Sequence, residues 1–293
     1  MQEFLVDKSD VGQRVDIFLA NQFPEFTRSA LTNLFGQASI LVNNTVSKAG
    51  YRLRNGDRIQ IDTSMFFLKP PHLELPVIYE DDKVAVINKP AGVLTHAKGV
   101  LNTEATVASF LHSKINDKRL SGNRAGIVHR LDRDTSGVII GAKNSATAIW
   151  LQKQFANRKV EKTYLAIVKG WLSEPAAKIE VPLARNPRRP QTFQADHSGK
   201  RAETTYKVIK KIEKRSGRYS LIEMKPTTGR THQLRVHMAY IGHPIIGDKI
   251  YGSGIIGPMM LHAKSLKLTL PDHKKHIFKT PLPARFNEFE KNA

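Results

Sequence analysis

Val15, Phe18 and Leu19 recur at helical spacing, and so do Ala30, Leu31 and Leu34. Two short helices are therefore predicted near the start of the chain. Ile40-Leu41-Val42 followed by Asn43-Asn44 reads as a strand entering a tight turn. Arg54-Asn55-Gly56-Asp57 is a second turn, and Arg58–Asp62 alternates as a strand should. Pro70, Pro71 and Pro76 then interrupt a stretch with little periodicity. The pattern divides the chain into a small domain over residues 1–64, a linker over 65–76 and a larger domain over 77–293.

In the larger part, Lys83–Ile87 reads as a strand that stops at Asn88-Lys89-Pro90-Ala91-Gly92. Thr103 is positioned to cap a helix that carries Val107, Phe110 and Leu111 on one face. Gly137–Ala142 is a short apolar strand. Asn144 or Ser145 caps a helix whose apolar side holds Ala146, Ile149, Trp150 and Leu151. Tyr164–Val168, Thr204–Val208 and Tyr219–Met224 are further strands, and Thr231–Tyr240 is a helix ending at Gly242. Strands outnumber helices and do not alternate with them. That favours an α+β fold with an extensive sheet over a doubly wound parallel one.

Composition sharpens this picture. The 293 residues are 40% hydrophobic, enough for a real core. Net charge is +20, which points to a polyanionic partner or an anionic surface. Up to Pro70 there are eight Lys/Arg and seven Asp/Glu, so nearly all the excess lies beyond the linker. Residues 185–218 alone hold eleven basic and three acidic side chains. Cysteine is absent, which excludes disulfides, thiolate metal sites and a cysteine nucleophile. Glu3, Asp7 and Asp10 stand where a secretory signal needs a basic start and an apolar run. The uncharged stretch Ser29–Ser47 is too interrupted by Thr, Asn and Gln to span a membrane. The expectation is a soluble cytoplasmic protein, with a monomer as the default.

Two strings carry candidate chemistry. Gly126–Gly137 reads GIVHRLDRDTSG and directly precedes an apolar strand. Carboxylates flanked by arginines there are either a structural ion-pair turn or an acid held in a cleft. Asp134-Thr135-Ser136-Gly137 matches the aspartic protease tetrad, but no second copy exists to share its proton. A kinase catalytic loop fails as well, since no glycine-rich loop and no D-F-G accompany it. The second string, Pro226–His237, reads as an amphipathic helix start with a basic face. No phosphate-binding G-x-x-x-x-G-K-S/T is present. His262, His273 and His276 have few nearby carboxylates and no cysteine beside them, and read as a solvated basic tail, so no metal is expected.

His129–Gly137 (HRLDRDTSG) resembles the signature of the RluA family of pseudouridine synthases. Asn88–Gly92, Arg158–Tyr164 (RKVEKTY) and the string from Pro226 through Gly242-His243-Pro244 and Gly247-Asp248 resemble three more of its motifs, in the family's order. The N-terminal piece resembles an S4 RNA-binding domain, with Asn44 and Ala38 where that family prefers glycine. This layout resembles the ribosomal large-subunit branch, the RluC and RluD type. The resemblance implies a long mixed, largely antiparallel sheet around a central cleft. It also implies an isomerase that detaches uracil from uridine, turns it and rejoins it through C5, with no cofactor. Asp132 would be the catalytic carboxylate, as nucleophile or as base, with Arg235 paired to it. Tyr164 would stack on the uracil and serve as base or relay, and Leu261 would close the pocket. Arg130, His129 and Arg230 would bind substrate. The implied partner is RNA, either large-subunit rRNA or tRNA; a non-catalytic RNA-binding factor is the competing reading.

Overall fold

The computed structural model describes residues 1–24, 26–36, 38–64, 70–97, 104–252 and 254–291. The chain forms two compact units, residues 1–72 with 96–105, and residues 73–95 with 106–293. Thr103 lies outside the described residues.

The first unit contains Gln2–Leu5 (β1), Val15–Gln22 (α1), Arg28–Phe35 (α2), Ile40–Val42 (β2), Thr45–Val46 (β3) and Arg58–Ile61 (β4). Its strands form an antiparallel sheet in the order β1-β4-β2-β3. Ile40 pairs with Ile61 and Val42 with Ile59, and these four bury against Val15, Leu19, Leu31 and Leu34 of the helices. The Thr27 side chain accepts from the Ala30 N–H and starts α2. Asn43 and Asn44 both have positive φ, the turn that joins twisted antiparallel strands. Ala38 also sits in the left-handed region, at φ 55°. That conformation costs an alanine about 1 kcal/mol and explains a preference for glycine there.

The second unit continues with Val77–Glu80 (β5), Val84–Lys89 (β6), Val107–His112 (α3), Ser136–Ala142 (β7), Ser145–Ala156 (α4), Glu161–Lys169 (β8) and Ala176–Glu180 (β9). There follow Leu183–Arg185 (β10), Phe193–Ala195 (β11), Glu203–Lys214 (β12), Gly217–Pro226 (β13), Gln233–Tyr240 (α5), Leu261–Thr269 (β14), Lys275–Lys279 (β15) and Ala284–Lys291 (α6). One nine-stranded sheet runs β5-β6-β7-β14-β8-β13-β12-β9, with β15 also paired to β14. Among the described residues its one parallel pairing joins β7 to β14, and the rest are antiparallel. The expected mixed, largely antiparallel α+β sheet is therefore present. Val86, Val138 and Ile140 pack with Leu151 of α4 on one face. Ile87 and Ile139 pack with Phe110 and Leu111 of α3 on the other. Strands buried on both faces have no polar alternation, which is why β6 and β7 read as continuous apolar runs.

Several expectations need correction. The cap of α3 is Thr106, whose side chain accepts from the Ser109 N–H while the Ser109 hydroxyl accepts from the Thr106 N–H. Helix α4 buries Thr147, Ala148 and Leu151, whereas Ile149 is 54% exposed. Helix α5 begins at Gln233 rather than Thr231, because His232 before it is left-handed at φ 57°. His262 belongs to no solvated tail. It is fully buried on β14, with Nδ1 2.9 Å from the Ser136 hydroxyl and Nε2 2.9 Å from the Thr280 hydroxyl. Strand β14 was not predicted, since His262 and Lys264 break its apolar pattern.

The contact between β7 and β14 requires glycine. Gly137 has φ 118°, and a Cβ there would lie 2.2 Å from the Ala263 carbonyl oxygen. Gly92 also has positive φ, at 90°, but faces open space. Gly137→Ala is expected to cost about 4 kcal/mol or more in urea denaturation, and Gly92→Ala about 1 kcal/mol.

Candidate active site

The segment joining Leu131 to Thr135 is clamped from two sides. The Thr95 hydroxyl donates to the Leu131 carbonyl at 2.8 Å and accepts the Leu131 N–H at 3.1 Å. Lys89 is fully buried and donates to three carbonyls, Pro90 at 2.9 Å, Val93 at 2.8 Å and Arg133 at 2.9 Å. Burial pushes its pKa down to about 7, against the pull of Asp132 and Asp134. Lys89 thus holds the backbone after Asp132, and Thr95 the backbone before it. Asp134 is exposed.

Asp132 meets Arg235 from the first turn of α5, with Nη1 to Oδ2 at 3.1 Å. Arg235 in turn places Nε and Nη2 on the two oxygens of Asp248 at 2.7 and 2.8 Å. The Asp248 side chain is fully buried and also accepts the N–H groups of Ile250 and Tyr251. Burial alone would raise its pKa, but these bonds outweigh burial and hold it below the usual carboxylate range. Burial would likewise lower Arg235, and its two carboxylates raise it instead. With two donors fixed on Asp248, the fork aims its remaining edge at Asp132.

Three other groups complete the constellation. His232 holds Nε2 3.9 Å from Asp132 Oδ1 and Nδ1 2.8 Å from the Tyr251 hydroxyl. That hydroxyl also accepts the Phe193 N–H at 2.9 Å. Burial lowers the His232 pKa, with Asp132 opposing. Tyr164 projects from β8, and burial and then Asp132 raise its pKa, so the phenol is neutral at pH 7. Leu261 opens β14 and is buried beside Met259.

A cleft of about 500 Å³ is lined by all seven residues singled out from the sequence, His129, Arg130, Asp132, Tyr164, Arg230, Arg235 and Leu261. They do not occupy equivalent positions. His129 stacks on Phe155 at 4.5 Å and accepts the Ile140 N–H at Nε2. Burial pushes its pKa down to about 3, so it forms neutral wall. Arg130 and Arg230 are exposed at the rim, and Arg230 donates to the Arg201 carbonyl. Asp132 is the one carboxylate among the described lining residues, which also include Arg130, Arg158, Lys162, Arg230 and Arg235. Sequence reasoning did not single out Asp248, His232 or Tyr251. Their signal was the Gly247-Asp248 pair and the His that follows Gly229-Arg230-Thr231. Among the described residues no three His, Asp or Glu side chains gather as metal ligands.

A long mixed sheet carries a basic cleft with one carboxylate among its described lining residues and a neutral phenol beside it, an arrangement able to receive a polyanion. The family described as RNA pseudouridylate synthase matches residues 83–240, and the chain belongs to it. It is an RNA pseudouridine synthase, an isomerase. A protein of Aquifex aeolicus named "Uncharacterized RNA pseudouridine synthase" is 39% identical, over 85% of this chain and 79% of that one. "Ribosomal large subunit pseudouridine synthase D" of Borreliella burgdorferi is 36% identical, over 99% of this chain and 92% of its own. The solved structure of "Human RNA Pseudouridylate Synthase Domain Containing 1" superposes with a TM-score of 0.58 at 30% identity, covering 72% of this chain and 85% of that one.

Asp248→Asn leaves Arg235 buried with half its charge unpaired. The expected cost is about 3 kcal/mol by urea denaturation, against about 0.5 kcal/mol or less for exposed Asp134→Asn.

Proposed function

We propose that this synthase isomerises uridines of large-subunit rRNA and that Asp132 is its catalytic carboxylate. The observation that supports the assignment is the Asp132–Arg235–Asp248 chain, which fixes the one carboxylate among the described lining residues of the cleft. The rRNA target is supported by the full-length similarity to a large-subunit synthase.

The reaction breaks the N1–C1′ bond, turns the base and forms a C5–C1′ bond. Asp132 serves at the sugar, as a nucleophile on C1′ or as a base. Arg235 holds its direction. Because the Tyr164 phenol is neutral, a proton leaving C5 passes through it by exchange rather than onto a standing phenolate. Its ring and Leu261 enclose the detached base. Arg130 and Arg230 serve phosphates at the rim. The uridine must leave its stack to enter, at a cost of about a few kcal/mol. Phosphate contacts from the basic excess after residue 70 offset that cost. The N-terminal unit, residues 1–64, acts as an S4-like RNA-binding arm ahead of the 65–76 linker. No helix among the described residues is long and apolar enough to cross a membrane. We place the enzyme in the cytoplasm as a monomer.

Pseudouridine mapping by carbodiimide modification and primer extension tests the reading on unmodified large-subunit rRNA. A stop is expected with wild type and none with Asp132→Asn, whose RNA affinity stays within about threefold because no phosphate contact is lost. A stop that persists in the variant, or that appears only on tRNA, overturns the assignment. RNA affinity is expected to fall about a hundredfold or more between 50 and 200 mM salt. A flat titration in a filter-binding assay removes the electrostatic account.

A further inference from the structure

Two cations of the cleft have no role in that reaction, exposed Arg158 and half-buried Lys162. Lys162 lies two residues before Tyr164 on β8, on the same side of the strand and about 7 Å away along it. Unlike Arg130 and Arg230, it is half-buried. Its Nζ donates to the Thr228 carbonyl at 3.1 Å, and no carboxylate among the described residues pairs with it. Two of its three donors therefore remain for the cleft. Burial alone moves its pKa, down to about 8, so the ammonium form predominates at pH 7.

The bond to Thr228 does not account for a lysine at this place. The Thr228 hydroxyl donates to Gln233 Oε1 at 2.7 Å and accepts the Glu203 N–H at 2.9 Å. Gln233 Nε2 is fixed on the Glu203 carbonyl and the Thr204 hydroxyl, both at 2.9 Å. The Arg230 N–H is held by the same Gln233. Residues 228–233 are thus braced without Lys162. A desolvated cation with unused donors, facing a cleft, marks where negative charge is received.

The reaction supplies such a charge. When the N1–C1′ bond breaks heterolytically, its electron pair goes to N1 and uracil separates as an anion. C1′ is captured by the Asp132 carboxylate, or the sugar gives a proton to it. After rotation C5 bonds to C1′, the carboxylate is released or returns the sugar proton, the C5 proton departs and N1 takes one up. Arg235 cannot serve the anion, because both edges of its fork are spent on carboxylates. With the sugar at Asp132 and the ring against Tyr164, the far edge of the base lies toward Lys162.

We infer that Lys162 is a catalytic residue whose ammonium donates to a ring carbonyl oxygen of the uracil and balances the charge of the detached base. This rests on the pseudouridylation reading at Asp132. The two are separable, because that reading stands or falls on product formation by wild type, and this one on the ratio of variant to wild type. The test compares wild type, Lys162→Met, Lys162→Gln and Lys162→Arg on large-subunit rRNA transcript tritiated at uridine C5. Single-turnover tritium release and, separately, Kd at two salt concentrations are read. Loss of the ammonium is expected to slow release about a hundredfold in the Met and Gln variants, with Kd and its salt slope within twofold of wild type. Arg should recover about tenfold, because it restores charge with a different fork. A raised Kd with a salt slope shallower by about one would put the ammonium on a phosphate and overturn the proposal. Unchanged release in Lys162→Gln, which keeps a donor for Thr228, would overturn it as well. Gln also carries the test should the Met variant fail to fold.

Discussion

Arg235 is nearly buried between two carboxylates that lie 116 residues apart in the chain, Asp132 and Asp248. Removing three charges from water is unfavourable unless every donor and acceptor finds a partner. Here the partners come from many segments. Asp248 takes two guanidinium bonds and two backbone N–H groups at the turn after Gly247. Asp132 is positioned by backbone that Lys89 and Thr95 hold from the opposite side. Helix α5 must begin where Arg235 projects into the cleft, and left-handed His232 sets that start. Each of these requirements fails if the Arg235 fork is misplaced, so much of the fold around the cleft serves one guanidinium.

This dependence explains what the sequence disclosed and what it hid. Strands β6 and β7 were legible because burial on both faces leaves uninterrupted apolar runs. Helix α4 was legible in its start but not in its orientation, because Ile149 is as apolar as Leu151 and only packing tells them apart. Strand β14 was hidden because His262 reads as polar while the Ser136 and Thr280 hydroxyls make it part of the core. The seven singled-out residues converge on one cleft from β8, β14, the start of α5 and the segments before β7 and α5. No local periodicity could have joined them; the ordered motifs did. Asp248 escaped because an Asp after Gly looks like a surface turn. Only the tertiary contact with Arg235 gives it another meaning.

Protonation states divide the labour in the cleft. Burial keeps His129 neutral, with its Nε2 lone pair spent on the Ile140 N–H, so the imidazole contributes shape rather than charge. Tyr164 is kept neutral by the same desolvation, reinforced by Asp132. A neutral phenol beside a carboxylate can donate a hydrogen bond and hand on a proton, but it adds no second anion where the base must separate as one. On the proposed reading, the one carboxylate among the described lining residues then stands at the sugar end of the cleft. The base end is left to apolar Leu261, the phenol ring and Lys162.

That separation bears on why the carboxylate is tethered by an ion pair rather than by neutral hydrogen bonds. A neutral donor would orient Asp132 about as well in a static sense. It would leave the charge of Asp248 uncompensated, however, and it would not oppose movement of the Asp132 carboxylate toward the cations at the rim. A guanidinium fixed by two bonds on one side offers one bond on the other, in one plane. In the proposed reaction it sets the line along which Asp132 would approach the sugar, so reach and direction would be decided by the fold before RNA arrives. A reaction whose detached base must turn within the site needs a sugar end that stays still while the base moves. The buried Arg235–Asp248 pair supplies that fixed end.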